Sequence, residues 1–147
     1  MALKEQELAE KVADKMYDND SAAKLLGIEL LEIKPGYARM AMLVRSDMLN
    51  GHGILHGGMT FCLADTAFAY ACNSRNHKTV ALACSITYVL AGKEGDKLIA
   101  TAQEQASSGR TGVYDITIHN QLGAVLAVFR GNSYRTKQEV IESTSVQ

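Results

Sequence analysis

Asp65 is the residue whose surroundings point to chemistry. It is a lone acid in the run Met59-Thr60-Phe61-Cys62-Leu63-Ala64-Asp65-Thr66-Ala67-Phe68-Ala69-Tyr70-Ala71-Cys72, otherwise apolar almost all the way round a helix. An unpaired carboxylate is costly to bury, so this one must be paired, hydrogen-bonded, protonated or open to a cleft. It is either a structural acid satisfied by hydroxyls and backbone donors, or a reactive carboxylate held in an apolar setting. Upstream lie Asn50, His56 and the pair Gly57-Gly58, at the expected start of that helix. Free N–H groups at a helix N-terminus can hold a developing oxyanion, and glycines let a ligand approach the backbone there. Two glycines alone could simply shape a turn. With a carboxylate eight positions after Gly57, they make a candidate site for acyl transfer.

Other reactive residues weigh less. His52 and His56 are four apart, but Gly51 and Gly53 make the segment a loop, and no third metal ligand has an evident position. No metal site is expected. Cys62 precedes Asp65 by three residues and could share its helix face, yet it reads as a small core hydrophobe. Arg110, in Ser107-Ser108-Gly109-Arg110-Thr111-Gly112, and Arg130, in Phe129-Arg130-Gly131, stand beside glycines and hydroxyls. A guanidinium fork with open backbone nearby suits phosphate, though each could equally be a surface arginine beside a turn.

The elements that position these groups follow from periodicity. Leu8, Val12 and Tyr17 predict an amphipathic first helix, and Asp20-Ser21 caps a short second one that Gly27 stops. Residues 28–33 and 37–44 read as strands parted by Pro35-Gly36, and 45–55 as a loop. The long helix runs from Gly57-Gly58 to about Asn73 and has no solvent face, so it is central and buried. Val80, Leu82, Cys84, Ile86, Tyr88 and Leu90 share one parity, as do Leu98, Ala100 and Ala102, then Tyr114, Ile116 and Ile118, then Ala124, Leu126 and Val128. These are four half-buried strands, joined by turns too short for parallel crossovers. The prediction is an α+β fold, a curved antiparallel sheet wrapped around one central apolar helix, with an additional N-terminal helix.

Composition bounds the rest. With 147 residues, 47% hydrophobic, and 15 basic against 16 acidic side chains for a net charge of −1, the chain reads as one domain without the basic field of a nucleic-acid binder. A helical amino terminus over 3–26, a core over 28–136 and a polar, fraying tail over 138–147 are expected. The charged start and the lack of a long apolar run predict no signal peptide and no membrane span. Three cysteines without a C-x-x-C pair fit a reducing, cytoplasmic setting.

The chain also resembles a known family, the hotdog-fold thioesterases of the phenylacetic acid degradation (PaaI) type. The resemblance is carried by Met48-Leu49-Asn50-Gly51-His52-Gly53, by His56-Gly57-Gly58 with an acid seven residues beyond, and by the run from Leu63 through Asp65 to Ser74. Thr111-Gly112-Val113-Tyr114-Asp115-Ile116 and Phe129-Arg130-Gly131 match too. It implies hydrolysis of an aryl-acyl-CoA such as phenylacetyl-CoA or hydroxyphenylacetyl-CoA, with Asp65 as the catalytic carboxylate and the Gly57 N–H in the oxyanion hole. Asn50 and His56 match the supporting polar positions, Gly58 the substrate approach, and Arg110 and Arg130 are candidates for the CoA phosphates. No cofactor is implied, because CoA is part of the substrate. A water-orienting hydroxyl of some relatives is replaced here by Ala83, with Ser85 close by. The alternative is a non-catalytic acyl-CoA-binding or regulatory hotdog module.

Spacing adds a constraint. Eight helical residues separate Gly57 from Asp65 by about 12 Å along the axis, whereas a reacting carbonyl needs both donor and base within roughly 3 Å, or one water further. One helix can hardly serve both, so a symmetric homodimer with composite sites is expected. The resemblance implies pairing of such dimers into a homotetramer.

Overall fold

The computed structural model describes residues 2–142. Helix α1 (Ala2–Asp18) and the short α2 (Ser21–Leu25) precede strands β1 (Glu29–Lys34) and β2 (Tyr37–Leu43). A 3-10 turn (Ser46–Met48) leads to helix α3 (Gly57–Asn73), and β3 (His77–Tyr88), β4 (Lys97–Ser108), β5 (Thr111–His119) and β6 (Val125–Glu139) complete the chain. The strands form one antiparallel sheet in the order β1-β2-β4-β5-β6-β3, and α3 contacts all six. No helix among the described residues is long and apolar enough to cross a membrane.

The inner face of the sheet is built to admit a helix. Ala38, Met40 and Met42 of β2 and Leu98, Ala100 and Ala102 of β4 are buried there, as are Tyr114, Ile116 and Ile118 of β5. Small residues on β2 and β4 bring the backbone close to α3. On β6 a glycine does the same, because a Cβ at Gly131 would stand 2.7 Å from the Phe68 ring. That ring is buried and packs obliquely on Tyr114 and Phe129.

Both ends of α3 are pinned by polar side chains. His56 caps the start, its Nδ1 accepting the Gly58 N–H at 3.1 Å. At the far end the Ser74 hydroxyl donates to the Ala71 carbonyl and accepts the Gly36 N–H. The Asn73 amide accepts from the Thr79 N–H and donates to its carbonyl, tying the helix to the first residues of β3.

Three expectations need correction. Strand β3 is not half-buried: it is an edge strand with no buried residue, and Val80, Leu82 and Tyr88 are exposed. Its single parity is broken by a bulge between Ala81 and Ala83, which places Val80 opposite Tyr134 on the outer face while Cys84 stands opposite the inward Gly131. Helix α3 does have an open face, since Gly58 and Cys62 are exposed and Asp65 and Ala69 half-buried along one stripe. Cys62 is therefore on the surface of the protomer rather than in its core. Finally, β6 continues to Glu139, into the stretch expected to be a polar tail; residues 143–147 lie outside the described residues.

Because the Phe68 ring cannot retreat from a packed core, Gly131→Ala should destabilise the protein by about 1–3 kcal/mol, read as a lower midpoint in urea unfolding with an unchanged slope.

Candidate active site

The loop before α3 delivers the helix N-terminus. Asn50 closes it: its Oδ1 accepts the N–H groups of His52 at 2.9 Å and Ile54 at 3.4 Å, and its own N–H donates to the Ile54 carbonyl. Gly53 sits at φ 74°, a conformation that favours glycine. The His56 N–H then donates to the Met48 carbonyl, fixing where the helix begins.

At that start the second helical N–H, of Gly58, is taken by the Nδ1 of His56. The Gly57 N–H has no acceptor among the described residues. It is a free donor of the kind an oxyanion hole uses. Its carbonyl is held from the other side, where the Tyr88 hydroxyl donates to it at 2.9 Å. The Tyr88 ring packs so closely that a Cβ on Gly57 would lie 3.0 Å from it. A cavity of about 280 Å³ opens beside this peptide, lined by Asn50, Gly57, Thr60, Tyr88 and Leu90 among others. The Asn50 Nδ2 makes no hydrogen bond among the described residues and remains available to a ligand.

Asp65 lies about 12 Å further along α3 and does not line that cavity. Its carboxylate is half-buried and has no hydrogen bond or ion pair among the described residues. Burial pushes its pKa up from the ordinary carboxylate value. Cys62, one turn earlier, is pushed up as well, first by burial and then by the Asp65 charge. The thiol is the protonated, weakly nucleophilic partner of the pair. The Thr66 hydroxyl is occupied with the Cys62 carbonyl at 2.6 Å, so it leaves Asp65 unpaired.

The structure thus brings Asn50, His56, Gly57 and Gly58 together, with Asp65 on the same helix, and separates the two arginines from them. Arg130 forms a bidentate pair with Asp115, at 2.6 and 2.8 Å, on the outer face of the sheet. Ser85 pairs with Arg130 across the strands and lines the same outer groove, and Ala83, opposite Asn132, lies on that same outer side of β3. Arg110 sits at the β4–β5 turn beside Arg75 and Arg135, two arginines that sequence distance concealed. Tyr88 was also missed, because it read as one more member of an alternating strand. Among the described residues no group of three or more His, Cys, Asp or Glu side chains could hold a metal ion.

Comparison with known proteins identifies the family. Residues 52–127 match the Thioesterase superfamily. The acyl-coenzyme A thioesterase PaaI of Escherichia coli (strain K12) is 51% identical over 123 residues, covering 84% of this chain and 88% of that one. The solved structure of E. coli PaaI, described as from the phenylacetic acid degradation operon, superposes with a TM-score of 0.90 at 48% identity, covering 91% of this chain and 97% of that one. A Streptococcus mutans protein solved bound to acetyl CoA has a TM-score of 0.74 at 28% identity, over 76% and 90% of the two chains. The chain belongs to the Thioesterase superfamily, in the PaaI-like branch of hotdog-fold acyl-CoA thioesterases.

Proposed function

We propose that this enzyme hydrolyses an aryl-acyl-CoA, phenylacetyl-CoA or a hydroxyphenylacetyl-CoA, to the free acid and CoA. One observation carries the reading: a single helix presents an unpaired N–H at Gly57 and an unpaired, desolvated carboxylate at Asp65. The Gly57 N–H polarises the thioester carbonyl and stabilises the oxyanion that forms as the carbonyl carbon becomes tetrahedral. Asp65 either takes a proton from the attacking water or attacks the carbonyl itself to give an anhydride that water opens. In both routes the CoA thiol leaves and the acid is released. Asn50, through its free Nδ2, and His56, through its cap on Gly58, hold the polar side of the site. An aromatic acyl group fits the cavity beside Tyr88, whose ring offers an edge or face to stack on. The chemistry as written calls on no metal or redox group, and the three free thiols suit the reducing cytoplasm.

The distance between donor and base makes the working unit a dimer. In this reading Gly57 of one protomer faces the partner subunit's Asp65, and symmetry gives two such sites. Two features support it. Strand β3 is an edge whose outer hydrogen-bonding side is unpaired and whose Leu82 and Tyr88 are exposed, and the open stripe of α3 carries Asp65 beside it. Burying exposed apolar side chains on an edge strand favours association with a like edge. A tetramer of two such dimers would use the outer face, where Val128 and Tyr134 are exposed.

Asp65→Asn should lower kcat for phenylacetyl-CoA by about 100- to 10,000-fold, measured as release of free CoA; full turnover by this variant contradicts the assignment. Burial favours the protonated carboxyl while the reaction needs the ionised one, so kcat/KM should fall as pH drops through a midpoint above the ordinary value of about 3.9. A pH profile with its acid limb at or below that value would count against Asp65 as the base.

A further inference from the structure

The main-chain bonds of the first turn of α3 single out the Gly57 N–H. The His56 carbonyl accepts the N–H groups of Met59 at 2.9 Å and Thr60 at 3.4 Å, which holds the peptide unit that ends in the Gly57 N–H. The next unit, between Gly57 and Gly58, is held at both ends by side chains. From β3 the Tyr88 hydroxyl donates to its carbonyl at 2.9 Å, and from the loop His56 Nδ1 accepts its N–H at 3.1 Å. A planar peptide bonded at both groups cannot turn without breaking one of those bonds. Two consecutive glycines would otherwise leave this turn loose, because glycine gives up the most conformational freedom on ordering.

Tyr88 is aimed by a fixed backbone. It ends β3 opposite Ala127, and the N–H groups of Val89 and Leu90 after it both donate to the Leu126 carbonyl, at 2.8 and 3.1 Å. Further on, the Gly92 carbonyl accepts the Leu55 N–H at 2.9 Å, tying this segment to the loop that enters α3. The side chain is not buried: Tyr88 is 51% exposed and lines the cavity beside Gly57. A hydrogen bond at an exposed tyrosine adds little stability, since water offers the hydroxyl and the carbonyl comparable partners. What this bond does is set a direction.

We propose that Tyr88 is a positioning residue: its hydroxyl clamps the Gly57–Gly58 peptide so that the adjacent Gly57 N–H stays aimed at the oxyanion, and an acyl group filling the cavity tightens the clamp. The inference rests on the thioesterase reading. A donor stabilises an oxyanion to the extent that its direction is set before the reaction. With the cavity empty, water competes for the hydroxyl and the carbonyl. An acyl group that carries a ring covers Tyr88 and displaces that water, and the bond strengthens in the drier setting. An acetyl group is too small to cover the ring and leaves the bond wet. The hydroxyl is committed to Gly57 and takes no part in the bond changes. Recognition of the acyl group therefore shows in kcat, through the oxyanion donor, rather than in KM.

The test is Tyr88→Phe, which keeps the ring and removes the hydroxyl, assayed with phenylacetyl-CoA and acetyl-CoA. For phenylacetyl-CoA kcat should fall about 5- to 10-fold, the worth of one hydrogen bond, with KM within about twofold. For acetyl-CoA kcat should stay within about twofold. The urea midpoint should be unchanged, while the Gly58 amide, followed by NMR, should exchange its hydrogen faster once its peptide is released at the carbonyl. An unchanged kcat for phenylacetyl-CoA, or a rise in KM alone, would overturn the proposal by making Tyr88 at most a binding contact. Equal losses on both substrates together with a lowered urea midpoint would overturn it in favour of a purely structural role. Failure of wild type to release CoA from either thioester would instead remove the thioesterase reading, and the Gly58 exchange rate would then decide the clamp: no difference between wild type and Tyr88→Phe overturns it.

Discussion

The site depends on one rigid spacing. Helix α3 carries an unpaired N–H at Gly57 and an unpaired carboxylate at Asp65, and the helical rise holds them about 12 Å apart. Nothing in a packed helix can shorten that distance. Its start is fixed by the His56 cap and the Tyr88 hydroxyl, and its end by Ser74 and Asn73. The sheet around it fixes the middle through Phe68, seated against Gly131. The geometry that leaves each group unpaired is therefore the same geometry that keeps them from meeting in one chain.

The same helix explains why the carboxylate is available. Most of α3 is enclosed by the inner face of the sheet, where alanines on β2 and β4 let the backbones approach. The one stripe not enclosed runs through Gly58, Cys62, Asp65 and Ala69, beside the free edge β3. Leaving that stripe and that edge open is unfavourable for an isolated protomer, because apolar surface stays in water. It becomes favourable if both are covered together, which also excludes water from Asp65 and strengthens the oxyanion interaction at Gly57.

Much of this was legible in the sequence, for identifiable reasons. The capped helix starts, the Pro35-Gly36 turn and the alternation along β4 and β5 are local signals, and each element fell where they put it. The candidate positions stood out through chemical mismatch, an acid inside an apolar helix and glycines at its start. The misreadings have one cause, which is that periodicity cannot tell what covers a face. Cys62 and, on β3, Val80, Leu82 and Tyr88 look like core in a sequence, and they are exposed in a protomer. A bulge at the middle of β3 changed faces without leaving a mark such as glycine or proline. Arg130 was indistinguishable from Arg110 until the register showed Asp115 opposite it, and Arg75, His77 and Arg135 joined Arg110 only through the sheet.

The central claim is that two chains make each site, and mixing inactive chains tests it directly. Gly57→Pro removes the N–H in question with little change to the backbone: proline is well accommodated at the first helical position, and the extended His56 backbone before it (φ −62°, ψ 131°) suits a following proline. Tyr88 would have to give way slightly to the new ring. Co-refolded one to one with Asp65→Ala, it should form mixed dimers in which one of two sites is intact. The account predicts that the mixture regains about a quarter of wild-type turnover, the statistical share for random pairing in a symmetric dimer, while each variant alone stays inactive. A mixture as inactive as its components, or an isolated protomer with full turnover, would contradict it.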